Sequence, residues 1–313
     1  WLSFGEIPQW GGPGHANSLI RSDAARPVTG FQLQRASTTA FTTPWLAWLG
    51  PWNYQLSAGQ LRQYHTPSEP KLLGARLIVM PLPALQIGLS RTLMWGGDGR
   101  PQSFSSLGNA VIGRDNTNNA SKDPANQLGG IDFRLNLAPL VDIPAAFYGQ
   151  IIGEDEAGFM PSHVMYMAGI ELMHTWDSQL VSLYLEGADT RTNLDKQGIS
   201  YTHRNYKQGY YQQGYPLGAS MGGDSTQYTL GVSLTREDVQ RFGARLVHEQ
   251  VNRLSQPINH AWPQADKHTG GELNWHAPVR DWLTLDTRLW YSHSTYYADD
   301  VGAGLSADIT FGN

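Results

Sequence analysis

The sequence predicts an all-β protein, a transmembrane antiparallel β-barrel of the outer-membrane type, and three observations predict it. Apolar and polar residues alternate with a period of two, as in Leu305, Ala307, Ile309 and Phe311 against Ser306, Asp308 and Thr310, so each such strand has one oily and one wet face. The alternating runs are close to the 9–11 residues that cross a bilayer when tilted. The connections between them switch between short and long, as they do when short turns face the periplasm and long loops the outside.

Fourteen strand-like segments follow one another, at residues 1–10, 30–38, 52–62, 72–80, 83–92, 128–137, 145–152, 164–173, 180–188, 225–235, 240–250, 269–276, 282–292 and 301–311. The first is carried by Trp1-Leu2-Ser3-Phe4-Gly5, and the tenth by Tyr228, Leu230, Val232 and Leu234 interleaved with Thr229, Gly231 and Ser233. On the sixth, Ile131, Phe133, Leu135 and Leu137 oppose Asp132, Arg134 and Asn136; on the thirteenth, Leu283 and Leu285 oppose Thr284, Asp286 and Arg288. Charges of both signs on one face suit a lumen, although a soluble sandwich can also display them outward.

The connections at Pro81–Leu82, Ala138–Pro144, His174–Gln179, Arg236–Val239 and Ala277–Asp281 are short. Those at Arg62–Lys71, Leu93–Gln127, Gly153–His163, Asp189–Asp224 and Val251–His268 are mostly long, polar and rich in Gly, Asn and Tyr. Ser37–Pro51 is long for a periplasmic turn and Thr295–Asp300 short for an outer loop. The alternation leaves the C-terminus on the short-turn side, with Phe311 near the end of the last strand.

Composition narrows the function. In 313 residues, no stretch approaches the roughly 20 consecutive apolar residues of a spanning helix. The absence of Cys removes disulfide and thiolate chemistry, and the net charge of -5 argues against a nucleic-acid partner. The ten His are scattered without a metal-ligand spacing, so no metal or other cofactor is expected. The chain opens on Trp1 inside a strand-like run, without a signal-peptide pattern, so residues 1–313 are expected to form a single barrel domain cut from a longer polypeptide.

Tryptophans cluster around the turn Gly50-Pro51 (Trp45, Trp48, Trp52) and near strand ends (Trp262, Trp275, Trp282, Trp290). Indoles settle at the headgroup level, which makes an aromatic girdle the expected role; stacking on a pyranose ring is the alternative. The segment Asp189–Asp224 is far too long for a connector and carries Arg191, Asn193, Asp195, Tyr201, His203, Arg204, Asn205, Tyr206, Lys207, Tyr210, Tyr211 and Tyr215. Phenols beside cations and amides offer a charged polysaccharide a stacking face, hydroxyl partners and counter-charges for uronates. The candidate polysaccharide-binding residues are therefore Arg191, Tyr201, Arg204, Tyr206, Lys207, Tyr210, Tyr211 and Tyr215. The competing role for the tyrosines is to pack the loop on itself and close the barrel mouth.

Three further patterns are weaker, and each has an ordinary role. Gly153-Glu154-Asp155-Glu156-Ala157-Gly158 puts three acids in one outer turn, where a solvated or lipopolysaccharide-linked turn is expected over calcium binding or glycoside hydrolysis. Gly218-Ala219-Ser220-Met221-Gly222 matches G-x-S-x-G, but it leads into an alternating strand, whereas a nucleophile elbow needs a strand-to-helix turn. Gly96-Gly97-Asp98-Gly99 is too isolated to mark a phosphate loop.

An ordered set of short motifs resembles the capsule-assembly Wzi family. They are Trp10-Gly11-Gly12-Pro13-Gly14, Ala25-Arg26-Pro27, Pro44-Trp45-Leu46-Ala47-Trp48-Leu49-Gly50, Leu89-Ser90-Arg91-Thr92 with Trp95-Gly96-Gly97-Asp98-Gly99-Arg100-Pro101, Gly113-Arg114-Asp115-Asn116, Tyr148-Gly149-Gln150 with Ile152 through Gly158, and Gly223-Asp224-Ser225. A single Trp10 followed by two Gly replaces the family's paired Trp before Gly-Pro-Gly. The resemblance implies a bacterial outer-membrane barrel of about eighteen strands with a small periplasmic helical part, the strands and helices not visible here lying upstream. It also implies a lectin that binds and anchors capsular or exopolysaccharide at the cell surface, is not an enzyme, and has outer-membrane lipid and lipopolysaccharide as neighbours. The rivals are a sugar-conducting porin, with Asp132, Arg134, Asp286 and Arg288 lining the pore, and an outer-membrane hydrolase built on Ser220 or on Glu154 to Glu156.

Overall fold

The computed structural model describes residues 1–112, 125–157, 160–192, 198–255 and 259–311. Fourteen strands form one sheet in which each pairs antiparallel with its neighbours along the chain. They are β1 (Leu2–Glu6), β2 (Thr29–Gln34), β3 (Trp52–Gln60), β4 (Lys71–Leu82), β5 (Leu85–Trp95), β6 (Ala125–Asn136), β7 (Ala145–Ala157), β8 (Met160–Trp176), β9 (Gln179–Asp189), β12 (Thr226–Thr235), β13 (Arg241–Val251), β14 (Asp266–Arg280), β15 (Leu283–Ser294) and β16 (Asp300–Ile309). A separate hairpin, β10 (Tyr211–Gln212) with β11 (Tyr215–Pro216), lies in the long connection between β9 and β12. Among the described residues, β1 and β16 are the two edges of the sheet.

All fourteen predicted segments are strands, in the predicted order. The differences lie at their ends. β7 and β8 stay paired as far as Ala157 and Met160, so most of the described part of 153–163, which reads as a polar loop, is paired backbone. Beyond the apolar band the alternation of side chains fades, but the N–H and C=O groups still need partners and the ladder continues. β1 stops at Glu6, well before residue 10, because the chain there leaves the sheet and enters the lumen.

Register converts the alternation into two surfaces. Leu230 lies opposite Leu185 on β9 and Leu246 on β13, and all three are exposed. Ile131 lies opposite Leu89 and Ile151 in the same way. These rungs form the apolar outer band that lipid bathes. The other face carries Arg76, Asp132, Gln150, Glu171, Glu186 and Gln227, all but Arg76 buried. One loop, residues 7–28, bonds to side chains of β3, β4, β7, β9 and β12. A single short segment reaches that many strands only if the sheet wraps around it.

The buried core therefore sits in the lumen, not between layers. Leu19, Ile20, Tyr201, Tyr206, Tyr210, Tyr211, Leu217 and Met221 from the loops pack against Tyr148, Ile152, Met165 and Met167 from the wall. Connections at one end are short, apart from 35–51, which holds the 3-10 turn Ala47–Leu49, and 137–144, which holds α2 (Ala138–Val141). Among the described residues, the other end bears 7–28, 61–70, 96–112 with α1 (Phe104–Val111), 190–192, 198–225, 252–255 and 259–265. By the rule for such barrels, that end faces outward. No described helix is long and apolar enough to cross a membrane.

The girdle expectation divides. Trp45, Trp48 and Trp282 are exposed at the short-turn end, joined by Trp176, which suits a headgroup belt. Trp275 stacks on Phe242 of the neighbouring strand. Trp262 and Trp290 do not belong to it. Trp262 packs on the luminal core, its ring 4.3 Å from that of His268. Trp290 covers Gly302, where a Cβ would sit 2.2 Å from the indole.

Orientation has a direct test. Leu230→Arg places a cation on the lipid face at the middle of β12, and is expected to cost about 2–4 kcal/mol in reversible unfolding from lipid vesicles. Ser233→Asn, on the opposite face of the same strand, is expected to stay within about 0.5 kcal/mol. The reverse ranking would mean that water bathes the apolar face.

Candidate functional site

The outer mouth is built by two loops that enter the barrel and grip each other. The first, residues 7–28, brings its backbone into the lumen, where every N–H and C=O requires a partner. Wall side chains supply them. Glu186 on β9 accepts from the backbone N–H groups of His15 and Asn17 at 2.7 Å and of Ala16 at 3.3 Å, and the Tyr148 hydroxyl donates to it at 3.2 Å. Gln150 on β7 accepts from Leu19 N–H and donates to the Gly11 carbonyl, both at 2.7 Å. Arg76 on β4 donates to the same Gly11 carbonyl at 2.9 Å while forming a two-pronged pair with Asp132 at 2.6 and 2.9 Å. The His15 ring stacks on Tyr184 and lies 3.3 Å from Glu171, which also pairs with Arg134.

Close approach explains the composition of Trp10-Gly11-Gly12-Pro13-Gly14. A Cβ on Gly14 would lie 2.3 Å from the Asn17 carbonyl oxygen and 2.9 Å from Glu186. Only glycine lets this turn seat against the carboxylate.

The second loop, between β9 and β12, closes over the first. The Tyr201 hydroxyl donates to the Leu19 carbonyl at 2.6 Å and accepts from Ala219 N–H at 3.0 Å. Tyr210 donates to the Ile20 carbonyl at 2.9 Å, and Tyr206 to the Gly96 carbonyl at 3.2 Å. Tyr211 accepts from Gly223 N–H at 3.3 Å. Tyr64, from the β3–β4 loop, donates to the Gly209 carbonyl at 2.9 Å. Gly209 has a left-handed φ of 67°, and a Cβ there would stand 2.1 Å from the Tyr201 carbonyl oxygen. Burial pushes the Tyr201, Tyr210 and Tyr211 phenols above their ordinary range.

The predicted binding residues thus separate into two groups. Tyr201, Tyr206, Tyr210 and Tyr211 are buried and hold the loop in place, so they take the packing role and not that of sugar stacking. Arg191 is half-buried at the top of β9, where the Asp189 carboxylate pairs with it and holds its guanidinium further into the cationic range. Arg204, Lys207 and Tyr215 are exposed. Tyr215 lies on the small hairpin, whereas Lys207 N–H donates to the Thr66 carbonyl on the side of the β3–β4 loop. Asn193 and Asp195 lie outside the described residues.

Other candidates change role. Glu154 faces inward and accepts from Tyr201 N–H, so it is a clamp on the plug and not part of a solvated acidic turn; the side chains of Asp155 and Glu156, Gly158, and Gly113 through Asn116 lie outside the described residues. Ser220 Oγ donates to Asn17 Oδ1 at 3.2 Å within the plug, on no strand-to-helix turn. The charges considered for a pore are paired: Asp132 with Arg76, Arg134 with Glu171, Asp286 with His276 and Arg288 with Glu272. Among the described residues, no three His, Cys, Asp or Glu side chains are grouped to hold a metal ion.

Between the plug and β12–β15 a cavity of about 710 Å³ remains. Ala16, Tyr215, Ser220 and Trp262 line its plug side, and Thr229, Arg245, Glu249, His268, Glu272, Arg288 and Trp290 its wall. Tyr215, Ser220, Trp262, Arg288 and Trp290 were legible as polar or aromatic candidates, but Arg245, Glu249, His268 and Glu272 carry no local motif, being inward positions two by two on β13 and β14. The glycine run after β1 was the available signal for the inserted loop.

Two expectations follow for the plug. Glu186→Ala removes the acceptor for His15 and Asn17 N–H, at about 1–3 kcal/mol for each orphaned donor; residues 10–22 should become cleavable by added protease while the barrel keeps its heat-modifiable migration. Unchanged protection would overturn the anchoring role. The buried phenols have folded pKa values above the unfolded value of about 10, so their stabilisation is complete below that pH and is lost as pH rises through the folded values. Absorbance at 295 nm should show a late cooperative tyrosinate step coinciding with loss of plug protection, and a single non-cooperative step near pH 10 would contradict it.

The comparisons with known proteins agree with this architecture. The family model for the capsule assembly protein Wzi matches residues 1–306. A curated Klebsiella pneumoniae relative, an uncharacterized 55.8 kDa protein in the cps region, is 48% identical over 312 residues; the match covers 99% of this chain but only 62% of the relative's length. The solved structure of Escherichia coli Wzi, described as a carbohydrate-binding β-barrel involved in group 1 capsule assembly, is 47% identical with a TM-score of 0.89, over 99% of this chain and 68% of that one. The Pseudomonas aeruginosa outer membrane protein OprD, at 12% identity and TM-score 0.52 over 98% of this chain and 74% of its own, shares the barrel fold alone. This chain belongs to the Wzi family of capsule assembly proteins.

Proposed function

We propose that this protein is a polysaccharide-binding barrel of the outer membrane whose plugged outer face holds capsular or exopolysaccharide at the cell surface without conducting or cleaving it. The observation that carries this reading is the plug itself. Its backbone is fastened in the lumen by Glu186, Gln150, Arg76 and four buried tyrosines, while Arg204, Lys207 and Tyr215 remain exposed. A surface held rigid before it meets its ligand loses little entropy on binding. Exposed cations and a phenol match an acidic, hydroxyl-rich polymer. The carbohydrate binding described for the Escherichia coli relative, and the cps-region origin of the Klebsiella relative, support the same assignment.

The apolar outer band takes outer-membrane lipid and lipopolysaccharide as its neighbours, residues 1–313 act as one barrel unit, and nucleic acid is no partner of a chain of net charge -5. The pairing of Asp132, Arg134, Asp286 and Arg288 and the filled lumen favour binding over conduction. The placement of Ser220 inside the plug favours binding over hydrolysis.

A triple Arg204→Ala, Lys207→Ala, Tyr215→Ala variant is expected to weaken binding of purified capsular polysaccharide at least about tenfold, roughly 1.4 kcal/mol, with heat-modifiable migration intact. Wild-type protein should release no new reducing ends from the polymer and show no steady conductance in a planar bilayer. Polymer binding at wild-type strength by the triple variant would remove these residues from the site.

A further inference from the structure

The cavity between the plug and the wall of β12–β15 has the chemistry of a second, deeper part of the site. Along β14 it runs from His268 to Glu272, four residues or roughly 14 Å of strand. Its volume of about 710 Å³ falls within the usual range for small-molecule pockets. Both kinds of surface that a sugar ring requires are present. Trp262 and Trp290 offer apolar faces, and Arg245, Glu249, Glu272 and Arg288 offer hydrogen-bonding groups.

The polar groups are unevenly satisfied. Arg245 donates to Glu272 at 2.9 Å, and Arg288 pairs with the same carboxylate. Two guanidinium groups, with five N–H donors each, thus share one acceptor pair, and the Arg288 side chain is 55% exposed. The acids on the wall are already engaged: Glu249 accepts from Gln227 at 2.7 Å and Asp300 from the Trp290 indole at 3.0 Å. A second observation is independent of charge. The Thr229 hydroxyl, in a residue only 1% exposed, and the Trp262 indole N–H have no partner among the described residues, and both residues line this cavity. Such groups are costly to bury unless something else bonds them.

We propose that this cavity is a saccharide subsite that takes a chain end or side branch of an acidic polymer, with a sugar carboxylate on the Arg245–Arg288 pair, hydroxyls on Thr229 Oγ1 and Trp262 Nε1, and a ring face against Trp290. The subsite rests on the polysaccharide-binding reading above and extends it from the exposed loop residues to the luminal wall. The exposed residues hold the polymer's length; the cavity reads its acidic branch.

Isothermal titration of the intact protein in detergent tests it, using short oligosaccharides released from a uronate-bearing capsular polysaccharide and the same oligosaccharides with their carboxyl groups reduced. Wild-type protein should bind the acidic form about tenfold more tightly than the reduced form, and Arg288→Gln should abolish that preference. Thr229→Val keeps the shape and removes an unpaired hydroxyl. A purely structural role for Thr229 leaves binding unchanged with equal or greater stability, whereas the subsite loses several-fold in affinity for both forms. Heat-modifiable migration and plug protection confirm folding of each variant. Equal affinity for acidic and reduced forms overturns the proposal. So does intact polymer binding to wild type and to both variants alike with no binding of the short forms, an outcome that leaves the surface-binding function standing. Failure of polymer and oligosaccharides alike to bind wild type overturns both.

Discussion

A loop can occupy the inside of a barrel only if the barrel completes its hydrogen bonds. Residues 7–28 bring a run of backbone N–H and C=O groups into a space walled off from bulk water, and each unpaired group there costs roughly what a lost hydrogen bond costs. Glu186 answers three consecutive N–H groups, Gln150 one N–H and one C=O, and Arg76 the remaining Gly11 carbonyl lone pair. The rest of the outer mouth depends on that match. Leu19 and Ile20, once held, present the carbonyls on which Tyr201 and Tyr210 close.

The inward charges follow from the same constraint. A luminal cation such as Arg76 is tolerable because Asp132 faces it across two strands and because its further N–H groups reach Ser90 and Gly11. Removing one partner of such a buried pair is far more damaging than replacing both. The wall of β3–β9 is thereby committed to holding the plug. The wall of β12–β15 has a different balance, with arginines outnumbering their acceptor and a cavity left against it. One side of the lumen holds the plug, while the other, apart from the Gln227 bond to Asn17, borders the cavity.

The tyrosines illustrate how residue chemistry underdetermines role. Phenols beside Arg, Lys and Asn have the composition of a saccharide site, and the same phenols have the reach and the hydroxyl needed to bond a loop's backbone N–H or C=O. Tyr201, Tyr206, Tyr210 and Tyr211 do the second; Tyr215, displaced to the exposed hairpin, is the one left free to do the first. Indoles divide likewise. Trp45 and Trp48 lie exposed at the membrane edge, whereas Trp262 and Trp290 turn toward the cavity.

By itself the sequence determined the strands, their order and their lipid-facing side, because the period-two pattern is a local property of each segment and needs no knowledge of its neighbours. Leu230 and Ile131 could be placed on the apolar face from their own runs alone. The inward positions were legible as polar but not as partners. Which carboxylate meets which backbone depends on register across five or more strands and on a loop whose path no local rule sets, so Glu186 under His15, Ala16 and Asn17 is visible only once the sheet wraps around the loop. Tertiary structure alone decided that the mouth is plugged, that the tyrosine-rich loop is fastened and not free, and that Ala16, Thr229 and Arg288, distant in sequence, border one cavity. The physical reason is that side-chain alternation is encoded pairwise along the chain, while the filling of a lumen is a property of the whole enclosed volume.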